Sequence, residues 1–126
     1  MIYKQPSQKT FEQIDTALRE SAARHQFGVV AVHDLRQTMR NKGVEFGPAV
    51  VVYEVCNPQQ AKKVLESDGA ISSALPCRIS VYESPEGNQL ATILPTAMLG
   101  MFGRPDLAVV ANEVEAVVVA MMKDAA

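Results

Sequence analysis

"CRISVYESPEGNQLATIL", residues 77–94, decides the architecture. "CRISVYE" and "QLATIL" read as strands, and "SPEGN" between them carries the Pro and Gly of a hairpin turn. Strands joined this tightly run antiparallel, so at least part of the sheet is antiparallel. In the first of them Cys77, Ile79 and Val81 are in phase, which points all three at the core.

Working back from the hairpin, "PAVVVYEVC" (48–56) is a further strand. Asn57 is a good N-cap and Pro58 suits a first helical position, so a helix follows with Ala61, Val64 and Leu65 inward, ending near "SDG". "GVVAVHD" (28–34) is β-branched and continuous, which predicts a strand covered on both faces or nearly so. Asp34 with Gln37 forms a capping pair and Gly43 supplies a stop, making "LRQTMRNK" a short helix.

Nearer the N-terminus, "MIYK" is a first strand ended by Pro6. Phe11, Ile14, Leu18, Ala22 and His25 recur at helical spacing, with Thr10 and Gln13 as a capping box or Ser7 as an alternative start. Beyond the hairpin, "DLAVVANEVEAVVVAMMK" (106–123) is a long helix opened by Pro105 and Asp106. Its main stripe is Leu107, Val110, Val114, Val117 and Met121, and a second runs through Val109, Ala116, Val119 and Ala120. Two apolar stripes mean either deep burial or contact with a partner subunit. The expected fold is therefore α+β: a mainly antiparallel sheet of five strands with helices packed on one face, in one domain over residues 1–126.

Composition limits what such a domain does. Its 12 basic and 14 acidic residues leave a formal charge of -2, so no global field draws it onto nucleic acid or an anionic membrane. No stretch has the length of a signal peptide's apolar run or a membrane span, which makes a cytoplasmic protein the expectation. Two cysteines without a CxxC, beside only His25 and His33, match neither a disulfide framework nor a structural zinc spacing. GxSxG, GxGxxG and GxxxxGK[ST] are all absent, so nothing announces a serine nucleophile elbow or a nucleotide site, and any cofactor is unknown.

Two blocks carry side chains capable of chemistry. Cys56 lies one residue before a helix cap, where unpaired N–H groups and the dipole favour a thiolate. It also follows a strand, and buried free cysteine is a common core residue. With no adjacent histidine to act as base, burial is the preferred reading for Cys56, as it is for Cys77. In "HDLRQTMRNKG", Arg36 and Arg40 share a helix face and could together hold a carboxylate or phosphate, against the plainer reading of a solvated helix capped by Asp34. The Met- and Phe-rich "PTAMLGMFGRP" suits either an adaptable apolar pocket or a core.

Taken together, "HDLRQTMRNKGVEF", "VYEVCNPQQAKKVLE", "ALPCRISVYE" and "LATILPTAML" resemble the bacterial and archaeal family known as domain of unknown function 302. The resemblance runs from the first helix to the last. It implies a strand, a helix, four strands and a final helix, grouped with the TATA-binding-protein-like architecture, and a dimeric state. His33, Asp34, Cys56, Asn57, Pro58, Pro76, Cys77 and Arg78 fall on its motif positions, and the resemblance assigns none of them a role.

The function expected on these grounds is a homodimeric small-molecule-binding module. Its candidate ligand-binding residues are His33, Asp34, Arg36, Arg40, Asn57 and Arg78. The alternative is a thiol-dependent redox or sulfur-handling protein using Cys56, with Cys77 as the second candidate thiol.

Overall fold

In the computed structural model, which describes residues 1–126, five strands form one antiparallel sheet. In chain order the elements are β1 (Ile2–Ser7), α1 (Phe11–Arg24), β2 (Gly28–Asp34), α2 (Leu35–Asn41), β3 (Val50–Cys56), α3 (Pro58–Ser67), β4 (Cys77–Ser84), β5 (Gly87–Ile93), α4 (Pro95–Gly100) and α5 (Ala108–Ala125), with short 3₁₀ turns at Gly69–Ala74 and Pro105–Leu107. Across the sheet the strands lie in the order β1-β5-β4-β3-β2. The α+β expectation holds, and helices α1 and α5 cover one face.

The β4–β5 hairpin pairs Ser84 with Gly87 across a two-residue turn, Pro85 and Glu86. Gly87 has φ +114°, a conformation that any Cβ would strain. From there the alternation is strict: Ile79, Val81 and Leu90 are fully buried on the helix side. Tyr53 and Val55 of β3 join them, and Val55 faces Cys77 across the ladder.

The predicted caps form. Thr10 Oγ1 accepts from the Gln13 N–H at 3.2 Å, while the Gln13 side chain accepts from the Thr10 N–H at 2.9 Å. Asp34 accepts from the Gln37 N–H at 3.0 Å, and Asn57 from those of Gln59 and Gln60 at 3.0 and 3.1 Å. Each satisfies donors that the first helical turn leaves free.

Several expectations are corrected. The strand "GVVAVHD" is not covered on both faces. β2 lies at the sheet edge, paired to β3 alone, with a register shift between Val29 and Ala31, and Val30 is 60% exposed. β1 does not stop before Pro6 but runs through it to Ser7, because β1 is the other edge and a missing N–H there need not break a ladder bond. In α5 the helix proper begins at Ala108, after a 3₁₀ turn. Its buried residues are Val110, Ala111, Val114, Val118, Met121, Met122 and Ala125; Val117 is only half-buried, and Val109 and Ala116 of the second stripe are exposed.

A hydrogen bond ties α1 to the sheet: the Tyr53 hydroxyl donates to Asp15 at 2.8 Å, and Arg19 holds the other carboxylate oxygen at 3.0 Å. Partial burial alone would raise the Asp15 carboxyl, but the hydrogen bonds from Arg19 and Tyr53 and the guanidinium charge outweigh it and hold Asp15 below its ordinary 3.8. A carboxyl depressed by folding adds stability that is complete above its unfolded pKa and is lost as pH falls through the lower folded value. Tyr53→Phe is therefore expected to bring the Asp15 titration, followed by NMR, back toward 3.8 and to start acid unfolding at higher pH. Gly87→Ala is expected to cost about 1 kcal/mol through its φ, read from the urea midpoint.

Candidate functional site

The face of the sheet opposite α1 and α5 is largely uncovered, and its interior holds one acidic side chain. Glu54 interrupts the apolar run of β3, and alternation turns it away from the Tyr53 and Val55 face. Its neighbours across the ladder are Ala31 on β2 and Arg78 on β4. Arg78 Nη2 lies 3.2 Å from Glu54 Oε1, and His33 Nε2 lies 3.5 Å from Oε2. The carboxylate is 15% exposed, whereas His33 and Arg78 are 49% and 68% exposed. A shielded acid is thus held between two cations or donors on the flanking strands, a His33–Glu54–Arg78 row across three strands.

Beside this row lies a groove of about 420 Å³. Its floor is sheet, including Val52, Ser80 and Ala91, and its end wall comes from Leu75, Pro76 and Met98. Arg78 lines it too, so the charged row borders an apolar space. Arg78 has further N–H groups to offer, because a guanidinium carries five donors and Glu54 occupies one nitrogen.

The candidate residues divide by location. His33 and Arg78 come together through Glu54. Asp34 and Asn57 are caps of α2 and α3. Arg36 donates to the Gly47 carbonyl at 3.1 Å and lies 3.8 Å from Glu83, at the end of the sheet where β3 begins. Glu54 is four residues further along, about 13 Å at the rise of a strand, so Arg36 and Arg78 do not converge on one anion. Arg40 is exposed on α2 and forms no ion pair.

Cys56 and Cys77 are both free and line a second, smaller cavity under α3. Burial pushes both thiols up, Cys77 to about 11 with the neighbouring Cys56 adding to the effect. At Cys56 burial is what disfavours the charged form.

Sequence reasoning offered Arg78 and the "PTAMLGMFGRP" stretch, whose Met98 lines the groove, but did not single out Glu54 as a site residue. The available signal was a lone carboxylate inside "VVVYEVC", since a charge in a strand interior needs a partner.

The sequence profile of the family described as "Domain of unknown function DUF302" matches residues 3–125. The chain belongs to the DUF302 family. It is also similar in structure to the uncharacterized conserved DUF302 protein from Bacillus stearothermophilus, known from a crystal structure: TM-score 0.94, 27% identity, 99% of this chain and 98% of that one covered. No curated protein gives a match to the chain. The DUF302 resemblance noted in the motifs is thus established, while the family description assigns no activity. No helix of this DUF302 domain is long and apolar enough to cross a membrane.

Because Arg78 is largely exposed, removing it is expected to change stability by no more than about 1 kcal/mol. Removing Glu54 leaves two donors facing each other without their acceptor. Thermal unfolding of Arg78→Ala and Glu54→Ala is expected to show the larger loss for Glu54→Ala.

Proposed function

We propose that this DUF302 protein is a homodimeric small-molecule-binding module whose ligand occupies the groove on the open face of the sheet. The carrying observation is a space of about 420 Å³, largely apolar, with one underused guanidinium at its border. That volume is within the range of sites for small organic molecules, which are usually apolar with a few placed polar groups. The ligand this chemistry recognises has an apolar body against Val52, Ala91 and Met98 and an anionic end on Arg78, with Ser80 as a hydroxyl partner. His33 and Glu54 hold Arg78 in place rather than meeting the ligand themselves. The proposal is one of binding and assigns no reaction.

Support for the homodimer comes from the rim. Ile2 and Ile93 face each other across β1 and β5 and are 60% and 52% exposed. Exposed apolar residues beside a groove are the kind of surface a second copy covers. A cytoplasmic setting suits two reduced thiols. The thiol-dependent alternative needs an ionised Cys56, and burial works against it. Nucleic-acid binding by analogy with the TATA-binding-protein architecture rests only on a grouping that the motif resemblance implies, set against a net charge of -2.

A native mass spectrum of freshly purified protein, repeated after denaturation, tests the reading. A dimer carrying extra mass that leaves on denaturation is expected. Ala91→Trp, which fills the groove, should abolish that mass and Arg78→Ala should diminish it. A monomer would overturn the dimer. Wild-type protein that retains nothing and gains no thermal stability from any of a panel of hydrophobic carboxylates and phosphates would overturn the groove.

A further inference from the structure

The charged row beside the groove includes a histidine, and imidazole is the side chain that ordinarily changes charge between about pH 5 and pH 8. Alternation puts the His33 ring on the same face as the groove. Val32 and Asp34 line the space beside α1 on the covered side, together with Asp15 and Tyr53, so His33 between them turns to the open side. In register it pairs with Val52, which is part of the groove floor, and Val52 pairs in turn with Ser80.

Glu54 is shared between two partners. Its Oε1 lies 3.2 Å from Arg78 and its Oε2 lies 3.5 Å from His33. The carboxylate is 15% exposed, so solvent screens its pull on either neighbour less than it screens a surface pair. With His33 neutral, one carboxylate compensates one guanidinium and the row carries no net charge. With His33 protonated, the same carboxylate faces two cations, and one positive charge is left over beside the groove.

The other charged groups around β2 do not share this position. Asp34 is turned to the covered side and caps α2. On α2, Arg36 is held by the Gly47 carbonyl and Glu83 at the far end of the sheet, and Arg40 is exposed without an ion pair. From α1, Glu12 and Asp15 lie behind the sheet, with Asp15 bonded to Tyr53 and Arg19. The facing charge on β3 is Glu54, and Arg78 on β4 stands beyond it. The second histidine, His25, lies 3.6 Å from Asp124, where α1 and α5 end.

We propose that His33 is a proton switch on the groove: once protonated it takes up part of the Glu54 charge, leaves the Arg78 guanidinium less compensated, and strengthens the hold on an anionic ligand. The inference rests on the groove as the binding site and adds its regulation. His33 acts through Glu54 and Arg78 and is a positioning residue. The sign is fixed by charge: acid favours binding of the anion. Coupling of this kind is reciprocal, so an anion in the groove also favours the protonated imidazole.

The test is isothermal titration of the full chain with octanesulfonate, whose apolar chain carries a head that stays anionic throughout, from about pH 8 down to about pH 5.5. Affinity is expected to rise roughly 5-fold over that range at low salt, the lower end of ordinary coupling between two sites, and to rise less at high salt. His33 is half exposed on an edge strand, so its variants are expected to fold, which circular dichroism checks. His33→Asn should flatten the profile at the weaker, high-pH affinity. His33→Lys, which keeps a positive charge, should flatten it at the stronger one. His25→Asn should leave the rise in place. In NMR of the wild type, saturating octanesulfonate should move the ring titration of His33 to higher pH and leave that of His25 unmoved. A wild-type profile that is flat or falls on acidification, or a rise that survives in folded His33→Asn protein, would overturn the switch and leave the groove as the binding site. Absence of octanesulfonate binding at every pH would overturn the groove reading and the switch with it.

Discussion

Ile79, Val81, Leu90 and Val55 on the sheet share one core with Ile14 and Leu18 of α1 and Val118 and Met121 of α5, and all eight are fully buried. Each such side chain contributes roughly 1.5–3 kcal/mol when removed from water. That apolar layer fixes which face of every strand turns inward, because a shift of one residue would turn the whole set outward. The tie from Tyr53 to Asp15 and the bond from Ser21 to Asp124 sit at its margins and orient α1 against the sheet and α5.

Once the inner face is set, the outer face follows by alternation. Glu54 lies between Tyr53 and Val55, so burying those two sends its carboxylate to the open side. The antiparallel register then brings Arg78 opposite it and His33 diagonally beside it. The charged row is thus a consequence of core packing. So is the groove next to it, which α4 and the 69–74 turn wall off at one end of an otherwise uncovered sheet.

The thiols show two local effects in competition. A helix N-terminus would favour a thiolate at Cys56, whereas its apolar surroundings disfavour any charge and push the thiol up. At Cys77, deeper in the core, desolvation acts more strongly still.

Much of the fold was legible in the chain because it depends on near neighbours. Thr10 with Gln13, Asp34 with Gln37, and Asn57 with Pro58 each satisfy backbone groups within one turn, and their types and spacing carry that information directly. The hairpin at Pro85–Gly87 is local in the same sense, and it made the antiparallel sheet readable. Strand order is not local. "GVVAVHD" has the composition of an interior strand, yet its exposure is decided by what pairs beside it, and β2 has a neighbour on one side only. The site was illegible for the same reason: Arg36, Arg40 and Arg78 can be grouped by charge, but only register shows that Arg78 meets Glu54 while Arg36 turns to Glu83. The sequence by itself determined the main strands and helices, their caps and the α+β class, through interactions that close within a few residues, while the short helix α4 was not foreseen. Tertiary structure decided the edges, the open face, the groove and the His33–Glu54–Arg78 row, because each depends on contacts between segments far apart in the chain.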